Sequence, residues 1–289
     1  MDINLILTQM TLGLVNGVFY AILSLGLAII FGLLGVINFA HGVFFMLGAF
    51  IAYALGQWLG IGYWGAIVIA PLAVGMLGLL VEVVLIRHLY RLDHLYGLLL
   101  TLGLALFAEG FIRITFGPQG LPYSVPPSLR GAINLGYMLL PTYRAWVVVA
   151  GIVLCLATWF LIERTPLGAK LRAATDNPTL VQAFGINVPV MLTLTYSAGV
   201  ALAAVGGVMA APILSVDPSM GTSIVIVVFA VVVIGGMGSI FGSIVTGLAL
   251  GLLEGLTKAV LPQASSTVIF VAMVIILVLR PRGLFGKTA

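Results

Sequence analysis

Apolar runs of near membrane-span length follow one another along this chain. They cover residues 5–34, 39–58, 63–86, 97–116, 142–162, 190–213, 222–236, 240–259 and 265–279. A helix needs about 20 apolar residues to cross roughly 30 Å of hydrocarbon, so each run reads as a crossing or part of one. Nine runs predict an all-α polytopic membrane protein of about eight to ten transmembrane helices, some short enough to be re-entrant or broken. The longest external connection, 117–141, "GPQGLPYSVPPSLRGAINLGYMLLP", carries the prolines and glycines of a loop. The whole chain, 1–289, is expected to form a single membrane domain.

Composition agrees with the pattern. Of 289 residues, 62% are hydrophobic and 7% are charged, against about 25% charged in ordinary soluble domains. Lipid solvates apolar side chains directly, which a watery surface cannot do. The first run is too long for the apolar part of a cleaved leader, and no basic residue precedes it, so it is predicted as a retained span. In a membrane protein Lys and Arg report topology, so the net charge of +4 is not taken as a nucleic-acid signal. Arg87, Arg91, Arg164, Lys170, Arg172, Arg280, Arg282 and Lys287 fall on one side of the alternation; Arg113, Arg130, Arg144 and Lys258 fall on the other. Eight against four predicts the first side as cytoplasmic, with the N-terminus outside and the C-terminus inside. Cys155 lies alone within a span and has no internal disulfide partner.

Two stretches echo each other. "GLLGVINFAHGVFFMLGAFIAYALG" is followed by "GMLGLLVEVVLIRH", and "APILSVDPSMGTSIVIVVFAVVVIGG" by "GLALGLLEGLTKAVL". In each, a span ends at a polar break, another follows, and a Gly-rich span carries one acid. Glu82 thereby corresponds to Glu254, and the break 37–42 to the break 216–221. The predicted topology puts those breaks on opposite sides, the pattern of inverted repeats with broken helices found in transporters.

Polar residues within spans are the candidate functional groups, because a charge there costs at least a few kcal/mol unless paired or wet. Glu254 has Lys258 four residues on and Glu109 has Arg113, the favourable order for a pair within one helix. Glu82 has no such partner and is the better candidate for a pathway or for contact between helices. Asn38 and His41, in "INFAHG", are further pathway or gating candidates; equally, such a His caps a helix or satisfies carbonyls. No second ligand stands at metal spacing, so neither a metal site nor a cofactor is expected. In "VDPSMG", Asp217 or Ser219 is expected to cap the next span. Ser243, Gly247, Gly251 and Gly255 recur every four residues and form a ridge for close helix packing. No nucleophile–base constellation stands out, so an enzyme is not expected.

The connection 163–189, "ERTPLGAKLRAATDNPTLVQAFGINVP", predicts two short helices, about 166–175 and 178–184. Thr165–Pro166 and Asn177–Pro178 each read as an N-cap followed by proline at the first helical position, and Gly185 as a C-terminal cap. Leu167, Leu171, Leu180, Val181 and Phe184 give these helices apolar faces. Such faces lie on the bilayer surface or dock into a partner's groove.

The blocks "GLLGVINFAHGVFFMLGAF", "ERTPLGAKLRAATDNPTLVQAFGINV", "VVIGGMGSIFGSIVTGLALGLLE" and "RPRGLFG" together resemble the permease subunits of high-affinity branched-chain amino acid ABC transporters. The resemblance runs from about Thr11 to Gly286, and the length looks like the smaller of the two paired permeases. It implies a bacterial inner-membrane subunit that pairs with a second permease, two cytoplasmic ATPase subunits and an extracytoplasmic substrate-binding protein. It also implies that 163–189 is the loop that couples to the ATPase, through Pro178, Leu180, Val181, Ala183, Phe184 and Gly185. No Glu precedes Ala183 and Gly185, so that motif is matched loosely. Similar blocks also serve permeases for urea, short amides and other small carboxylates. An ion-coupled secondary transporter would share the inverted repeat and is the competing class.

The tail "LRPRGLFGKTA" ends in the last letters of a phosphate-binding loop. Pro281 stands where that loop needs its first glycine, and proline has no N–H to offer. The GKT is therefore accidental. Arg280, Arg282 and Lys287 read instead as a basic cluster against anionic headgroups, with Leu284 and Phe285 returning to the interface.

Overall fold

The computed structural model describes residues 2–90 and 92–286, apart from the side chain of His94. Its helices are α1 (Ile3–Leu34), α2 (His41–Leu59), α3 (Tyr63–Val84), α4 (His94–Phe116), α5 (Thr142–Arg164), α6 (Pro166–Asp176), α7 (Pro178–Ala183), α8 (Val188–Ala210), α9 (Met220–Gly235), α10 (Ile240–Val260) and α11 (Val268–Leu279). Seven of them, α1 to α5 with α8 and α10, are long and apolar enough to cross a membrane; α9 and α11 are shorter apolar helices. Each of the nine apolar runs in the sequence is thus a helix, and the chain is an all-α multi-pass membrane protein.

Helix α1 is the axis of the bundle. Its side chains from Val15 to Ile30 are buried almost without interruption. A helix apolar on every side belongs inside such a bundle. Along its first half runs the small-residue ridge of α10. A Cβ at Gly247 would stand 2.6 Å from the Ala21 nitrogen, and one at Gly251 2.5 Å from the Gly13 oxygen. Gly255 is likewise pressed against the Gln9 carbonyl. These are backbone-to-backbone approaches that only glycine allows. Ser243 contributes its carbonyl oxygen, which accepts the Ser24 hydroxyl at 3.3 Å.

The two halves are related by reciprocal contacts. Gly26 of α1 and Gly199 of α8 face each other: a Cβ on either would lie 2.6 or 2.9 Å from the other's carbonyl oxygen. Gly42 and Gly221 do the same at the first turns of α2 and α9. The Tyr20 hydroxyl of α1 donates to Glu254 of α10 at 2.7 Å, and the Thr193 hydroxyl of α8 donates to Glu82 of α3 at 2.7 Å. Tyr20 and Thr193 stand 173 residues apart, as do Ser24 and Ser197, and Gly26 and Gly199. α1 runs antiparallel to α8, since Leu23 meets Gly206 while Gly26 meets Gly199. The exchange of α1 with α8 and α3 with α10 is therefore an inversion, the geometry expected from the sequence echo.

Helices α2 and α9 both begin deep in the bundle. α1 ends at Gly35 in the left-handed conformation, φ +66°. The chain then climbs back, because His41, the first residue of α2, reaches the Leu23 carbonyl with its Nε2 at 3.0 Å. Leu23 lies about 16 Å before the end of α1 at 1.5 Å per residue. The start of α9 sits opposite, at Gly221 against Gly42. Its cap differs from expectation: Asp217 accepts from Ser219 rather than from the helix, and the Met220 nitrogen is bonded to the Asp217 carbonyl at 3.1 Å.

The long connection holds a small hairpin, β1 (Ala132–Asn134) paired antiparallel with β2 (Leu139–Pro141), which the sequence reading left as loop. Its turn uses Gly136 at φ +84°, whose nitrogen donates to the Asn134 side chain at 2.8 Å. Tyr63, Trp64, Tyr143 and Trp146 cluster beneath it with ring centroids 5.3 to 5.7 Å apart. Aromatic clusters of this kind suit a membrane–water boundary. At the other end the tail folds back. Leu284 and Phe285 donate their N–H groups to the Ile234 and Gly235 carbonyls at 2.8 and 3.1 Å, which satisfies the open end of α9. Leu284 and Phe285, expected at the lipid interface, are thus half-exposed parts of the bundle. Arg91 and Lys287, both counted in the charge bias, lie outside the described residues.

Candidate transport and coupling sites

Glu82 sits on the last turn of α3 and is wholly buried. Its carboxylate accepts from the Thr193 hydroxyl, from the Tyr90 hydroxyl at 2.9 Å and from the Arg87 guanidinium at 3.3 Å. Arg87 also donates to the Thr193 hydroxyl at 2.6 Å. Sequence spacing missed Arg87 because α3 ends at Val84; the short 3₁₀ turn Ile86–Leu89 swings the guanidinium back at i+5. Burial first, then the adjacent carboxylate, raises the Tyr90 hydroxyl well above its ordinary value, so it donates without ionising. The result is a buried acid that is fully compensated and ties α3 to α8. Glu82→Gln should lower stability by about 2 kcal/mol, the worth of charge-assisted hydrogen bonds, read as a lower unfolding midpoint in detergent.

Asn38 and His41 are also wholly buried. Asn38 donates through Nδ2 to the Tyr196 hydroxyl at 3.0 Å. His41 packs its ring edge against Gly26. Asn38 Oδ1 and His41 Nδ1 have no partner among the described residues. These two side chains hold the broken segment between α1 and α8, close to the centre of the inverted pair.

The remaining acids differ. Glu109 pairs with Arg113 at 2.8 Å, at the expected i+4 spacing, and also accepts from Thr222 of α9. Glu254 does not pair with Lys258. It accepts instead from Tyr20, 234 residues away. The α1–α10 ridge contact is so close that the phenol reaches the carboxylate before the lysine can fold back over its own helix.

The connection 163–189 forms the two predicted helices, α6 and α7. Thr165 precedes α6, and its hydroxyl bonds back to the Leu161 carbonyl rather than capping α6. Asn177 does cap α7, accepting from the Leu180 nitrogen at 3.0 Å. Gly185 closes α7 at φ +79°. Val181 is turned inward against Ala174 and Val188 and anchors α7 to the rest. Leu180 and Phe184 point outward, 54% and 77% exposed, beside exposed Pro178 and Ala183. Gly168 lets α6 fold tightly under α5, because its Cβ position is filled by the Ile162 carbonyl. A rigid corner thus presents a small apolar knob at the end of the bundle that carries Arg164, Lys170 and Arg172.

The inverted halves, broken central helices and projecting apolar knob define a multi-pass transport permease. The chain belongs to the family described as branched-chain amino acid transport system, permease component, whose model matches residues 9–279. It is 28% identical to the high-affinity branched-chain amino acid transport system permease protein LivH of Escherichia coli (strain K12), over 97% of this chain and 96% of that protein. Identity to the corresponding protein BraD of Pseudomonas aeruginosa is also 28%, with the same coverage. The permease protein LivM of Escherichia coli (strain K12) is 28% identical over 93% of this chain and 68% of its own length. No solved structure matches the chain.

Proposed function

We propose that this chain is one of two permease subunits of a binding-protein-dependent importer of branched-chain or related hydrophobic amino acids in the bacterial cytoplasmic membrane. The observation that carries this reading is the family match over nearly the whole chain, together with relatives named as branched-chain amino acid permeases. Similarity to both LivH and LivM supports pairing with a second permease of the same fold. Two cytoplasmic ATPase subunits and an extracytoplasmic binding protein complete the assembly. The N-terminus lies outside and the C-terminus in the cytoplasm, as the Lys and Arg bias favours.

In this mechanism the chain makes and breaks no covalent bond. ATP closes the two ATPase subunits, and α7 carries that movement through Val181 and the α6 corner to α5 and α8. Leu180 and Phe184 seat in the ATPase groove, flanked by Pro178, Ala183 and Gly185. The halves around α1 and α8 then rock, and the path opens to the outside to receive solute. Hydrolysis returns it inward. Capture of the tagged chain from native membranes in mild detergent tests the partners. A second permease and an ATPase should co-purify in stoichiometric amounts; recovery of this chain alone would contradict the proposal.

A further inference from the structure

Of the acids within the spans, Glu254 alone is left with little compensation. Glu82 has an arginine and two hydroxyls, and Glu109 has an arginine and a hydroxyl. Glu254 has the Tyr20 hydroxyl only, among the described residues, and is half-buried. Tyr20 lies about 26 Å from the start of α1 and 21 Å from its end, so the pair sits mid-span. A carboxylate left so in hydrocarbon is costly. Its face must therefore be wet or covered by protein.

Beside Tyr20 runs a groove of about 270 Å³ between α1 and α9, which Glu254 reaches only through the Tyr20 hydroxyl. Tyr20, Asn16 and Ser223 line it, with Phe45, Ile224 and Val227 as apolar walls. The Asn16 carboxamide makes no hydrogen bond among the described residues, though it lies one turn from Tyr20 within a span. On other helices, mid-span positions face outward with apolar side chains: Phe107 on α4 is 73% exposed, and Val153 on α5 58%.

We infer that the α1–α9 groove is this subunit's share of the solute path, closed on its open side by the second permease, and that it takes a zwitterionic amino acid. The Tyr20 hydroxyl oxygen, oriented by the bond it donates to Glu254, accepts from the ammonium group. Asn16 donates to the carboxylate, joined by Ser223 once its hydroxyl leaves the Ser219 carbonyl, and the apolar wall receives the side chain. This inference rests on the permease reading above.

Introduced cysteines test it, since the chain's own lone Cys155 is buried and out of reach of a water-soluble reagent. In the complete importer, captured through this chain and reconstituted in lipid vesicles, Asn16→Cys and Ser223→Cys should react with a charged, water-soluble thiosulfonate about tenfold faster than Phe107→Cys and Val153→Cys. Equal, slow labelling of all four would overturn the inference. Glu254→Gln should cut uptake of labelled leucine about tenfold while the partners still co-purify, because the carboxylate that orients the Tyr20 hydroxyl toward solute is lost. Wild-type uptake in that variant would overturn the solute role. If the unmodified complex takes up no leucine, the permease reading fails instead, and the labelling still reports whether the groove is wet.

Discussion

Replacing Gly251 with leucine should abolish accumulation of folded protein. At Gly251 even a Cβ would meet the Gly17 backbone, with the Gly13 oxygen 2.5 Å away. Neither neighbour is a side chain that can rotate aside. α1 and α10 would have to separate along their length, breaking the Tyr20–Glu254 bond and the Ser24–Ser243 contact. The loss should exceed the roughly 1–3 kcal/mol of ordinary overpacking, because the obstruction is backbone on both sides. Gly103 on α4 has nothing within 4 Å of its Cβ position, so Gly103→Leu should accumulate normally. Size-exclusion of detergent extracts reads both. A monodisperse Gly251→Leu protein at wild-type yield would show that the α1–α10 contact is not the spine of the fold.

Phe184→Asp should leave the bundle intact and uncouple it. Phe184 is 77% exposed and stands outside the apolar clusters that hold the spans together. A carboxylate there should therefore cost the isolated chain little. If the ring is the anchor in an ATPase groove, an unpaired charge in that groove should weaken association at least tenfold, as at a binding hot spot. Leu180→Asp should act in the same direction. Val181→Asp should differ: it places a charge among Ala174 and Val188, and should loosen α7 from the bundle as well. Co-purification and unfolding midpoint, measured together, separate the two classes. Full ATPase capture by Phe184→Asp would move the coupling surface elsewhere.

What could be read from the sequence was what local chemistry decides. Each apolar run is a helix because no polar backbone can stand unpaired in lipid, and length alone then sets the spans. Asn177–Pro178 and Gly185 marked α7 because caps act within three residues. The breaks at 37–42 and 216–221 were visible as polar residues interrupting apolar sequence. The misses are contacts made across the chain. Glu254 was paired with Lys258 by spacing, but the glycine ridge brings Tyr20 closer. Arg87 reached Glu82 only because α3 stops at Val84. The tail's bonds to Ile234 and Gly235 depend on where α9 ends in space. The inward turn of Val181 depends on α8, which no helical period within 178–183 could reveal. Asn16 carried no signal as an isolated amide, and it gained meaning only beside Tyr20 and Ser223.

The central claim is that ATP, spent by a partner on the 163–189 side, drives amino acids through this permease. The direct measurement is uptake of labelled leucine, with labelled urea as comparison, by the purified complex in vesicles supplied with its binding protein. Leucine uptake should require ATP hydrolysis and survive ionophores that collapse ion gradients. Uptake that ignores ATP and disappears with the gradient would contradict it.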